Sequence, residues 1–116
     1  MAIEQDRLME LMRHEELKIK QDKKGSRLTV YMEGYLNPLT TPSFHNMMDD
    51  GTFTDVDQVI FDLSKMMYIS SCGLREFLLI HQKMEAKGGS MIIRGANENI
   101  IEVFDVTGLI RFMNIE

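Results

Sequence analysis

The sequence predicts a single α/β domain, a small mixed or parallel sheet packed by helices. Three observations carry this. Strand-like and helix-like segments alternate from residue 27 onward, the pattern of a sheet with helices laid against it. The run Val59-Ile60-Phe61 is almost continuously apolar, which suits a strand buried on both faces. A length of 116 residues leaves room for one modest core and no second domain.

Residues 3 to 15 place Ile3, Leu8, Leu11 and Met12 on one helical face, a pattern that fits a short amphipathic helix or an unstructured terminus. Leu17-Lys18-Ile19-Lys20 alternates with period two and reads as an edge strand with its lysines in water. A turn at Lys23-Lys24-Gly25-Ser26 leads into Arg27–Tyr35, where Leu28, Val30 and Met32 alternate with polar neighbours, so the pair is a predicted hairpin. Asn37-Pro38 stops that strand. Thr41-Pro42 reads as an N-cap followed by proline at the first helical position, opening a helix through Phe44, Met47 and Met48 that Asp49-Asp50-Gly51 closes.

Val56–Leu63 is the strongest predicted strand. After Tyr68-Ile69-Ser70-Ser71 a long helix is expected from Cys72 to Lys87, with Leu74, Phe77, Leu78, His81 and Met84 inward and Arg75, Glu76, Gln82, Lys83 and Glu85 outward. Gly88-Gly89 ends it, Met91–Arg94 forms a short strand, and Asn97 caps a helix carrying Ile100, Val103, Phe104 and Thr107, with Gly108 just past its end. Ile110–Ile115 reads as a last strand. Met47, Met48, Met66, Met67 and Met84 are expected mostly in the core, with a few joining Leu74 in an adaptable contact surface.

Composition narrows the function. A formal charge of -5 argues against nucleic acid, which needs a basic face. No apolar run approaches the roughly 20 residues that span a bilayer, and the first fifteen residues are too acidic for a signal peptide. One cysteine makes no internal disulfide, so the expected location is cytoplasmic. His14, His45 and His81 lack metal-ligand spacing, and no phosphate-binding glycine loop is present, so no cofactor is expected.

One loop stands out. In Tyr68-Ile69-Ser70-Ser71-Cys72-Gly73-Leu74 two hydroxyls and a thiol sit at a helix N-terminus, where unpaired N–H groups favour negative charge. On spacing alone Ser71 reads as the helix N-cap. Cys72 reads as a small residue filling a packed slot, because no histidine is placed to act as its base. His81 reads as a packed core residue.

Five short motifs stand in register: Gly34-Tyr35-Leu36-Asn37 with Thr40; Asp62-Leu63-Ser64; Tyr68-Ile69-Ser70-Ser71-Cys72-Gly73-Leu74-Arg75; Gly88-Gly89; and Thr107-Gly108-Leu109. Together they resemble the STAS domain of bacterial anti-sigma-factor antagonists over about residues 17–116, leaving residues 1–16 as an N-terminal extension. The resemblance implies a STAS-like sheet of four to five strands packed by helices. It implies a non-enzymatic partner-switching module that binds an anti-sigma factor serine kinase, is phosphorylated by it and is reset by a PP2C-type phosphatase. The phosphoacceptor maps onto Ser71. The partner-binding positions map onto Asn37, Thr40, Ser70, Ser71, Cys72, Gly73, Leu74 and Arg75, in a monomer or weak dimer. Three positions depart from the family pattern: Ser70 and Asn37 stand where Asp is usual, and Cys72 where Ser, Thr or Ala is usual. Asn37 and Cys72 also suit an alternative, a STAS scaffold subunit of a signalling or transporter complex that is never phosphorylated. A small enzyme with Cys72 or Ser71 as nucleophile has no triad, metal site or cofactor loop behind it.

Overall fold

The computed structural model describes residues 16–116; the helix expected over residues 3–15 lies outside them. Five strands form one sheet in the order β1-β2-β3-β4-β5. The strands are β1 (Leu17–Lys24), β2 (Arg27–Leu36), β3 (Gln58–Ile69), β4 (Ser90–Arg94) and β5 (Asn114–Ile115). The β1–β2 pair is antiparallel and every later pair is parallel, which makes the sheet mixed as expected. Three helices, α1 (Thr41–Met47), α2 (Ser71–Ala86) and α3 (Glu98–Val106), connect the parallel strands.

Alternation in β2 and β3 puts Leu28, Val30, Met32, Val59, Phe61 and Leu63 on one face, all buried. The three helices cover that face. Phe44 of α1, Phe61 of β3, Phe77 of α2 and Phe104 of α3 meet there, with Phe77 at 5.0 Å from Phe61, 5.4 Å from Phe44 and 6.2 Å from Phe104 between ring centroids. Ile60 points to the opposite face and is also buried, but outside this core cluster.

Several expected boundaries move, each for a local reason. β1 runs through Lys24, so the turn shrinks to Gly25-Ser26, with Gly25 at a φ of 61° supplying the left-handed residue of a tight hairpin. Thr40, not Thr41, caps α1 and makes no side-chain cap bond, because its hydroxyl is held by the preceding loop; Thr41 and Pro42 are the first helical residues. α1 ends at Met47, and Asp49 instead caps a short 3-10 turn, accepting from Thr52 N at 3.1 Å. β3 continues six residues beyond Leu63 because its parallel partner β2 runs on to Leu36, which pairs with Ile69. The expected strand over Ile110–Ile115 is mostly not a strand: Gly108, at φ 79°, ends α3, a 3-10 turn over Leu109–Arg111 follows, and two residues reach β4. Asn97 does cap α3, accepting from Ile100 N at 3.0 Å.

Met48, Met66 and Met84 are buried as expected, whereas Met47 and Met67 are exposed. His81 is half-buried on α2: its Nε2 lies 3.1 Å from Glu85, and its Nδ1 is buried with no hydrogen-bond partner among the described residues.

Candidate functional site

The site lies at the C-terminal end of β2 and β3, where each strand hands over to a helix. The first segment is a closed loop. Asn37 Oδ1 accepts from Leu39 N at 2.9 Å and Thr40 N at 3.1 Å, an Asx turn that leaves the loop few other shapes. Thr40 Oγ1 accepts from Asn37 N at 3.0 Å and donates to Tyr35 O at 2.7 Å; Thr41 Oγ1 donates to Asn37 O at 2.7 Å. Asn37, Thr40 and Thr41 are all buried by these bonds. An aspartate at 37 would offer the same acceptor, so this departure from the family pattern keeps the turn.

The second segment begins α2. Ser70 N donates to Leu36 O at 2.8 Å, which docks the two segments side by side. Ser70, not Ser71, is the N-cap: its backbone is extended (φ -85°, ψ 171°), its Oγ accepts from Gly73 N at 3.4 Å, and it is buried. Gly73 is required at its position, since a Cβ there would lie 2.7 Å from Leu36 Cδ2 and Cγ. His45 of α1 meets Glu76 of α2 at 2.9 Å, a further tie between the segments.

With the cap assigned to Ser70, Ser71 becomes the first residue of the helix. It is exposed, and its hydroxyl has no hydrogen-bond partner among the described residues. Arg75, one turn on, is exposed as well. Cys72 is half-buried and turned inward, its Sγ 3.0 Å from Ser70 Oγ and 3.5 Å from Thr41 Oγ1. The hydrogen bond with Ser70, then the contact with Thr41 Oγ1 and the backbone N–H groups of Gly73 and Cys72, hold its thiol below the ordinary thiol range, although burial pushes the other way.

Of the eight expected partner-binding residues, Ser71 and Arg75 are exposed and Cys72 partly so; Asn37, Thr40, Ser70, Gly73 and Leu74 are buried and support the surface from below. Leu74 therefore does not join an exposed contact surface, because it packs into the core. The exposed apolar residues at this end of the sheet are others: Leu39 at 68 %, Met67 at 61 % and Tyr68 at 50 % exposure. The sequence signal for them was present but ambiguous, since a Met-Met-Tyr-Ile run reads as core until the register shows which residues point out. Register shifts between β2 and β3 at Tyr31/Glu33 and Gly34/Tyr35 settle that.

Asp62 of the Asp62-Leu63-Ser64 motif accepts from Ser64 Oγ at 2.6 Å, Ser64 N at 3.0 Å and Arg94 Nη2 at 3.3 Å. Burial raises its carboxyl, but the Ser64 bonds and the Arg94 guanidinium outweigh it and hold the group below the usual carboxylate range. This motif braces β3 against β4. Among the described residues no group of three or more His, Cys, Asp or Glu is placed to hold a metal ion, and no helix is long and apolar enough to cross a membrane.

Ser70→Ala removes the Oγ that accepts from Gly73 N and faces Cys72, so it should lower stability by about 1 kcal/mol and slow alkylation of Cys72 near neutral pH. The sign follows from the depressed thiol. Its contribution to stability is complete above the ordinary thiol range and is lost as pH falls through the folded value, so Ser70→Ala moves the pH midpoint of alkylation upward. An unchanged midpoint in the variant would refute the Ser70–Cys72 bond.

The fold is thus a one-sided α/β layer that presents the Ser71 hydroxyl at the start of α2, docked beside the Asn37–Thr40 turn. The chain belongs to the STAS domain family, whose profile it matches over residues 17–116. It is 24 % identical over 94 residues to the "putative anti-sigma factor antagonist BtrV" of Bordetella bronchiseptica, with 81 % of each chain covered. Its structure is similar to that of an anti-sigma factor antagonist from Mycobacterium paratuberculosis, with a TM-score of 0.73 at 17 % identity, covering 87 % of this chain and 86 % of the other. It is also similar to the Bacillus cell fate determinant SpoIIAA in its phosphorylated form, with a TM-score of 0.69 at 17 % identity, covering 85 % and 91 %. The anti-sigma factor antagonist SpoIIAA in its unphosphorylated form matches equally, with a TM-score of 0.69 at 15 % identity, covering 85 % and 87 %.

Proposed function

We propose that this protein is an anti-sigma factor antagonist that works by partner switching. Unphosphorylated, it docks on an anti-sigma factor that is itself a serine kinase. Phosphorylated at Ser71, it lets go, and a PP2C-type phosphatase resets it. The observation that carries this reading is the division of labour between two adjacent serines: Ser70 is buried as the cap, while the Ser71 hydroxyl is exposed and unengaged. In the transfer, Ser71 Oγ bonds to the γ-phosphorus of ATP, the bond to the ADP oxygen breaks, and the hydroxyl proton leaves to a base on the kinase.

Electrostatics support a switch at this place. Arg75 is the one charged residue within four positions of Ser71 on either side. A phosphate adds about -1.5 to -2, so the local charge changes sign. The exposed Leu39, Met67 and Tyr68 supply the apolar part of the docking surface around that charge. Asn37 and Cys72, which suit the scaffold alternative, also have local duties: Asn37 closes its turn and Cys72 packs under Thr41 and Ser70.

The test is incubation of the protein with the anti-sigma factor serine kinase of the same organism and ATP, followed by mass analysis of the peptide containing Ser71. Phosphoryl mass on Ser71, absent in Ser71→Ala, is expected. An unmodified protein that still binds the kinase would favour the scaffold; modification of Ser70 instead would overturn the assignment.

A further inference from the structure

We propose that Arg75 is an internal clamp for the phosphate on Ser71, a regulatory role that rests on the reading of Ser71 as the acceptor. The geometry is helical. Ser71 and Arg75 both lie in α2, four residues apart, which brings their side chains onto the same face about 6 Å apart at Cβ. Both are exposed, and Arg75 has no ion pair or hydrogen bond from its side chain among the described residues. Nothing on its own helix competes for it: its other neighbours at three and four positions are Cys72, Leu78 and Leu79, none of them a carboxylate. Glu76, the next residue, is engaged by His45 across the α1–α2 contact. Among the described residues the guanidinium is thus unpaired, and a phosphoserine at the first helical position is a strong acceptor one turn back along the same face.

The clamp gives phosphorylation two effects at once. It adds charge to the docking surface, and it withdraws the Arg75 cation into an intramolecular pair. A partner that met Arg75 before modification meets neither a free cation nor a freely rotating phosphate afterwards. Holding the phosphate along the helix also fixes how a phosphatase must approach it.

The test installs phosphoserine at position 71 of the full chain by recoded translation, so that no kinase is needed. The second ionisation of the phosphate is then followed by phosphorus NMR as pH is varied. An adjacent guanidinium favours the dianion, so the midpoint, about pH 6 for a free phosphoserine, should lie about 0.3 pH unit or more lower in the wild type than in Arg75→Gln. Arg75→Lys should fall between them, and the difference should shrink as salt is raised. Unphosphorylated wild type and Arg75→Gln should melt at the same temperature, which separates the clamp from a structural role. Equal midpoints in the two phosphoproteins would overturn the clamp and leave Ser71 as acceptor standing. Failure of the kinase to modify Ser71 would remove the acceptor reading itself, whatever the titration shows.

Discussion

Phe77→Ala should destabilise the domain by about 3–5 kcal/mol, the cost of truncating a fully buried phenylalanine that cannot be replaced by collapse of its neighbours. Phe77 is fully buried and touches an aromatic ring from each of the other layers: Phe44 from α1, Phe61 from the sheet and Phe104 from α3. Removing it opens a void shared by three elements, so no single helix can settle into the gap. Against a typical total of about 5–15 kcal/mol, such a loss leaves the variant marginal, with its melting temperature lower by about 15–30 °C. Chemical denaturation measures it, provided the slope of the transition is unchanged. The matched control is Phe112→Ala, which removes the same ring from an exposed position and should stay within about 0.5 kcal/mol. A loss at Phe77 below about 1.5 kcal/mol would mean that the core is centred elsewhere. The consequence reaches the site, because α2 carries both Phe77 and the Ser71 loop.

Much of this arrangement is legible in the sequence, and the exceptions share a cause. Periodicity reports burial, so the inward positions Leu74, Phe77 and Met84, the strand residues Leu28, Val30 and Met32, and the Asn97 cap all emerge from pattern alone. What pattern cannot report is which of several chemically equal groups makes a given hydrogen bond. Ser70 and Ser71 are both competent caps, as are Thr40 and Thr41 for α1. The outcome turns on strand register: β2 pairs with β3 through Leu36–Ile69, and the bond from Ser70 N to Leu36 O then sets where the extended backbone stops. Thr40 is similarly claimed by Tyr35 O before it can cap. The exposure of Met67 is hidden for the complementary reason. An apolar residue near a strand end reads as core, and only the irregular β2–β3 pairing turns Met67 outward. For α3's successor, Ile110–Ile115, alternation of apolar residues suggested a strand where the chain spends its first residues in a 3-10 turn after a left-handed glycine.

Ser71→Asp should weaken binding to the anti-sigma factor kinase by about 10- to 100-fold, a loss of about 1.4–2.8 kcal/mol, while Ser71→Ala binds within about threefold of wild type. The asymmetry follows from position. At the first turn of α2 the Ser71 side chain carries no structural bond, so deleting its hydroxyl costs the fold nothing and leaves the docking surface intact. An aspartate there is tolerated by the helix, whose N-terminal N–H groups favour negative charge; the variant therefore folds, and any lost affinity belongs to the interface. The loss arises because the partner's face, complementary to an uncharged hydroxyl beside Arg75, must now desolvate a carboxylate it was not built to pair. The carboxylate carries about half the charge of a phosphate and lacks its third oxygen, so phosphorylated protein should bind more weakly still. Ser70→Asp is the discriminating companion: it places the same charge one residue earlier, at the buried cap, where it accepts from Gly73 N and is shielded from the partner. Titration calorimetry on the three variants and wild type should thus separate Ser71→Asp from the rest. If Ser71→Asp binds as tightly as wild type, or Ser70→Asp is the variant that loses affinity, the switch does not reside in the Ser71 side chain.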